Sequence, residues 1–146
     1  MAAFAQQARI RTMPSGDPDR QVPFLTYGFR PFFLLAGIYG AIAMTAWIVW
    51  LAIHTAGATV TAPTIAVAPH LWHGHEMIFG YAVAAMAGFM LTAIPGWTGA
   101  RRVAGAPLAV LAGLWLAGRA AVWFSATLDP LLVAALDLIF LVALTW

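Results

Sequence analysis

The chain has 146 residues, of which 63% are hydrophobic and 8% charged, with a net charge of +2 and no cysteine; its mean hydropathy is +0.88. Soluble domains carry roughly a quarter charged residues, so the composition excludes a soluble globular class and predicts an all-α, polytopic transmembrane helix bundle. The lack of cysteine excludes disulfides, thiolate metal sites and cysteine-held iron–sulfur clusters, and leaves histidine, methionine, carboxylate or backbone oxygen for any metal.

Residues 1–24 are expected to form a polar cytoplasmic tail, with Pro14, Gly16 and Pro18 among Arg9, Arg11, Arg20, Asp17 and Asp19. This stretch lacks the apolar core of a cleavable signal peptide, so the first span is expected to act as the insertion signal. That span is predicted over about 31–53. Pro31 suits the first turn of a helix, the run is long enough to cross about 30 Å of hydrocarbon, and Trp47 and Trp50 mark an interfacial end. Gly37, Gly40 and Ala43 give it a small-residue face for close helix contact. A loop without charge follows. The second span is predicted over 70–94, stopped by Pro95-Gly96, with Gly80, Ala84 and Gly88 spaced by four as in packed membrane helices.

The third span, about 107–124, repeats that spacing at Ala109, Gly113 and Ala117 and carries Arg119. The fourth, 129–146, rises about 27 Å and barely completes a crossing, so the chain is expected to be part of a larger bundle. Seven arginines and no lysine account for the basicity. They lie at the ends of apolar runs with no aromatic-interleaved patch, so they are topology signals and not a nucleic-acid surface. Arginines in the tail and at 101–102 place the N-terminus on the cytoplasmic side.

The segment His70-Leu71-Trp72-His73-Gly74-His75-Glu76-Met77 concentrates the chemistry. Ionisable groups in a membrane span are costly and mark function by default, and imidazole is the commonest metal ligand and a usual axial ligand of haem iron. His70, His73 and His75 are therefore the candidate metal ligands, and His73, His75, Glu76 and Arg119 the candidate cofactor-binding residues. His73 is the strongest, because Gly80 and Ala84 are expected to keep its face open to a flat ligand. In a regular helix His75 points about 200° away from His73. Either Gly74 keeps the segment extended so that both bind one ion, or the two histidines serve different partners. Glu76 suits a partner of an imidazole or a proton carrier. Met77, Met86 and Met90 are expected to pack and not to bind copper.

Arg119 lies about 7–8 Å and Asp137 about 12 Å inside the same boundary, and an unpaired charge at that depth is costly. They are expected to pair across the third and fourth spans. The pair either fixes helix packing alone, or presents Arg119 to a propionate or anionic substrate with Asp137 orienting it or a histidine.

Tyr27-Gly28-Phe29-Arg30-Pro31-Phe32-Phe33-Leu34-Leu35-Ala36-Gly37 resembles the opening of the NnrS family. Leu71-Trp72-His73-Gly74-His75-Glu76-Met77-Ile78-Phe79-Gly80, Ala87 to Gly99, and Leu114-Trp115-Leu116-Ala117-Gly118-Arg119 follow its later motifs in order. The resemblance implies a bacterial inner-membrane protein containing haem and copper, linked to nitric oxide, nitrosative stress and denitrification. It also implies a bundle of about twelve helices, each long enough to span, of which this chain is the N-terminal portion. The residues carried over are His73, His75 and Glu76. Two other functions compete: a proton-coupled transporter using Glu76, Arg119 and Asp137, and a structural or assembly subunit in which the charges only hold helices together.

Overall fold

The computed structural model describes residues 23–59 and 64–145. A short 3-10 turn, Pro23–Leu25, precedes four helices. Helix α1 is Phe29–Thr55, α2 is Pro69–Thr98, α3 is Ala106–Trp123 and α4 is Pro130–Leu144. The first three are long and apolar enough to cross a membrane, and α4 is a shorter apolar helix. The chain is thus the all-helical polytopic bundle that its composition predicts. Most of the expected tail, and Trp146, lie outside the described residues.

The boundaries follow local chemistry. Pro69, Pro107 and Pro130 sit in the first turns of α2, α3 and α4, where a missing N–H is harmless. Asp129 caps α4, accepting from the Leu131 and Leu132 amides at 2.9 and 3.2 Å. Helix α2 overruns the stop expected at Pro95-Gly96. A proline forfeits one ladder bond, but the helix continues for another turn and ends at Gly99, whose φ of 71° is left-handed. That glycine amide donates to the Pro95 carbonyl at 3.0 Å, the usual device for ending a helix. Helix α4 is shorter than its expected 129–146, with 15 residues rising about 22 Å.

Helix α1 packs along α2, and α3 pairs with α4. The small-residue stripe of α2 is the α1 contact. A Cβ on Gly80 would stand 2.4 Å from the Tyr39 ring, and one on Gly88 would stand 2.9 Å from the Phe33 ring. In return, a Cβ on Gly40 would meet the Tyr81 ring at 2.8 Å. Tyr39 and Gly40 of α1 therefore clasp Gly80 and Tyr81 of α2 reciprocally. The stripe expected on α3 behaves differently: Ala109 and Gly113 are exposed, and α4 instead meets α3 at Gly118, where a Cβ would lie 2.9 Å from the Leu136 carbonyl oxygen.

The core joins Phe32, Ala36, Ala84, Ala87, Leu108, Trp115 and Phe140. A second cluster of Ala43, Trp72 and Val122 lies toward the other end. Outward-facing Ile38, Ile42, Ile48, Ile78 and Val110 are exposed, as helices facing hydrocarbon require. Arg30 and Arg102 lie over the Tyr27 ring, 5.3 and 5.0 Å from its centroid, at the end of the bundle where α1 begins and α2 finishes.

Candidate functional site

A ring of ionisable side chains ties α2, α3 and α4 together near the opposite end. Glu76 is 0% exposed. It accepts from Arg119 Nη1 at 2.8 Å and from the Tyr39 hydroxyl of α1, and its other oxygen lies 3.1 Å from His75 Nδ1. His75 Nε2 lies 3.0 Å from Asp137 Oδ2, and Arg119 Nη2 donates to Asp137 Oδ1. The circuit Glu76–Arg119–Asp137–His75 is closed. Trp123 Nε1 extends it by donating to the Tyr39 hydroxyl at 2.9 Å. Glu76, Asp137 and Arg119 sum to a formal charge of −1, and His75, touching both carboxylates, is the group able to balance it.

Local helix geometry builds this ring. The turn Glu76–Ala82 is π-helical, a widened form that recurs at functional sites, and both Glu76 and Gly80 face inward from it. Gly118 lets α4 approach α3 closely enough for the next residue, Arg119, to reach Asp137. The Arg119–Asp137 pair expected from depth alone is present. Arg119 also bonds Glu76, so both of its Nη atoms are engaged, while its buried Nε has no partner among the described residues.

The histidines separate. Pro69–His75 is regular helix, so His73 and His75 diverge and face different partners. His73 turns to α1 and stacks on Trp47, with ring centroids 4.7 Å apart and planes 10° apart. Its Nδ1 is buried without a hydrogen-bond partner among the described residues. Trp47 continues into Trp50 at 5.2 Å and Trp50 into His54 at 4.9 Å, giving a ladder of four near-parallel rings. His70 is exposed. Among the described residues no three His, Cys, Asp or Glu side chains are arranged to hold a metal. Gly80 and Ala84 do not leave an open face: the Tyr39 ring fills the groove at Gly80, and Ala84 is fully buried. Open space lies instead at Gly74, beside His73, where an added Cβ would meet nothing within 4 Å. Met77 packs in the second core cluster and Met86 is exposed, so they do not converge on one centre.

The family model described as NnrS protein matches residues 23–146, a stretch that holds every residue of the ring and of the ladder. The chain belongs to the NnrS family. Comparison with curated proteins and with solved structures finds no match. In this NnrS chain the sequence missed Tyr39 and Trp123 as members of the polar network. A tyrosine in mid-span was the available signal, since a buried Tyr hydroxyl usually finds a partner.

The residues offer haem or copper part of a site. His75 has both ring nitrogens engaged by carboxylates, so it would have to give up a bond to bind a metal. His73 accepts and donates no hydrogen bond among the described residues, so its imidazole could serve as a ligand to a bound haem or copper without giving up a bond. His70, three residues earlier, shares its helical face. No third His, Cys, Asp or Glu joins these two imidazoles among the described residues.

Proposed function

We propose that this chain is the part of an NnrS-type haem and copper membrane protein that presents His73 to the cofactor, and that the protein acts in the nitric oxide response and in protection from nitrosative stress. The observation that carries this is the contrast between His73, stacked on Trp47 with no hydrogen-bond partner among the described residues, and His75, engaged on both nitrogens. Bound haem supplies an iron that takes a small diatomic ligand. His73 would hold the metal, with Trp47 fixing its ring plane and His70 contributing to copper. His75, Glu76, Arg119 and Asp137 form the frame that positions α2, as partners behind metal ligands commonly do. The remaining ligands are assigned to further helices of a larger bundle. The protein is placed in the bacterial inner membrane with the Arg30–Arg102 end cytoplasmic, because arginine marks that side.

Optical and metal analysis of the protein purified in detergent tests this. Haem is expected in the wild type, with a Soret band that shifts on adding nitric oxide. It should be lost or altered in His73→Ala and retained in His75→Ala. Wild-type protein with neither haem nor copper overturns the proposal.

A second inference, a proton-coupled transporter, draws on a cavity of about 290 Å³ lined by His75, Asp137, Ser125 and Val133. It leads to the ionic ring of Glu76, Arg119 and Asp137. Substrate flux in cofactor-free proteoliposomes that fails on Glu76→Gln is its expected signature, and unchanged flux in that variant rejects it.

A further inference from the structure

At the end of the bundle away from the ionic ring, a groove of about 250 Å³ opens between the last turns of α2, the loop 99–105 and the end of α4. Met90, Leu91, Ile94, Val103 and Leu144 give it apolar walls, and Arg101 stands among them. Hydrocarbon sides with a guanidinium at the edge suit an amphiphile with an anionic head. The volume is below the roughly 300 Å³ at which pockets for whole drug-sized ligands begin, so the groove takes part of one chain and leaves the head outside.

The charge around the groove is of one sign. Arg101 and Arg102 are exposed. The Arg102 guanidinium lies 5.0 Å from the centre of the Tyr27 ring, and that of Arg30 lies 5.3 Å from the same centre. The next residue, Gly28, packs on the groove wall, since an added Cβ would stand 2.5 Å from the Leu91 side chain. Three arginines thus gather beside one groove. None of them meets a carboxylate among the described residues, where every ion pair uses Glu76 or Asp137 of the distant ring. Like charges held close together repel one another and draw in an anion.

Depth selects the kind of anion. Trp97, in the last turn of α2, is 70% exposed, and outward-facing tryptophans collect at the level of lipid head groups. Met90 lies about 10 Å deeper along the same helix, so the groove runs from the head-group level toward hydrocarbon. A free phosphate would use the guanidiniums and leave the groove unfilled. A zwitterionic lipid would fill the groove but bring a cation toward three arginines. An anionic phospholipid satisfies both features, and basic pockets between membrane helices are suited to such head groups.

We propose that this groove is a binding site for an anionic phospholipid, with the phosphodiester held by Arg101 and Arg102 and the start of one acyl chain seated against Leu91, Ile94 and Leu144. Guanidinium is the cation fitted to phosphate, because its fork donates two parallel hydrogen bonds. Arg30 adds its charge through the shared Tyr27 ring. The site lies at the opposite end of the bundle from His73 and stands independently of the haem and copper assignment.

Native mass spectrometry of the protein in a non-ionic detergent tests this, by titration with phosphatidylglycerol and with phosphatidylcholine of the same chain length. Saturable retention of phosphatidylglycerol over phosphatidylcholine is expected, with no displacement by inorganic phosphate at constant ionic strength. Arg101→Gln and Arg102→Gln should each weaken retention about fivefold, the worth of one basic residue at an anionic surface. Both side chains are exposed, so these variants keep the fold. Ala100→Leu, at a residue lining the groove, takes up its space without changing charge and should also weaken retention. Equal retention of the two lipids, or phosphatidylglycerol retention unchanged in the arginine variants, would overturn the proposal. Displacement by inorganic phosphate, with Ala100→Leu behaving like the wild type, would reassign the site to a free anion and overturn the lipid.

Discussion

Arg119 meets Asp137 one residue past Gly118, where the α4 backbone at Leu136 and Asp137 lies against α3. The second Nη atom of the same guanidinium holds Glu76 of α2, so a single planar head group joins three helices. Arginine is suited to this because its fork presents several donors in fixed directions, which a lysine ammonium does not.

Removing that head group leaves two carboxylates facing each other in a buried site. Arg119→Ala is expected to destabilise the protein by about 3–5 kcal/mol, the cost of breaking a buried ion pair. Arg119→Lys should recover only part of this. Thermal unfolding in detergent provides the measurement, and an Arg119→Ala protein that unfolds like the wild type would refute the bridging role.

The clasp between Tyr39 and Gly80 gives a paired test within one helix. Gly80→Ala puts a methyl group where the Tyr39 ring stands, 2.4 Å away, and overpacking of this kind costs about 1–3 kcal/mol. Gly74→Ala meets nothing within 4 Å and gains about 0.5–1 kcal/mol of helix propensity. The first variant should melt below the wild type and the second at or above it. Equal behaviour of the two would show that the close approach is not needed.

Tyr39→Phe keeps the ring in the Gly80 groove but removes the hydroxyl that donates to Glu76 and accepts from Trp123. The loss should be about 1 kcal/mol, since two hydrogen bonds are lost and a half-buried indole N–H is left unpaired. Combining it with Trp123→Phe should cost less than the sum of the two single changes, because coupled neighbours are not additive. Strict additivity in thermal unfolding would argue that the two side chains do not interact.

Asp129→Ala removes the cap of the shortest helix. Loss of such a cap costs about 0.5–2 kcal/mol, and Asp129→Ser should preserve most of it. Hydrogen exchange of the Leu131 and Leu132 amides is the direct measure. Protection unchanged in the alanine variant would contradict the capping contact.

The helices were legible because apolar runs of spanning length are rare outside membranes, and the Arg119–Asp137 pair because charges in such runs must meet. The family was legible from motifs in order along the chain. The ring as a whole was not. A regular period does put Glu76 and Gly80 on one face, but nothing in Glu76–Ala82 signals the π turn or tells which neighbouring helix that face meets. The sequence ranked His73 above His75 for an open face at Gly80 and Ala84 that the Tyr39 ring fills; what separates the two histidines is the position of α4, whose Asp137 engages His75. The small-residue spacing found the α1–α2 contact at Gly40, Gly80 and Gly88, but Gly37 is exposed with nothing within 4 Å of an added Cβ, and the spacing missed Gly118, which lies outside the Ala109, Gly113, Ala117 stripe.

The reciprocal clasp has a mechanical consequence. With Tyr39 seated at Gly80 and Tyr81 at Gly40, α1 can neither slide along α2 nor roll on it without driving a ring into backbone, so the two helices behave as one stiff lever. Close-packed contacts of this sort switch between discrete arrangements and do not deform smoothly. Any rearrangement that accompanies ligand binding is therefore concentrated at the other seam, where α2 meets α3 and α4 through hydrogen bonds that can exchange partners, and His73 travels with the lever.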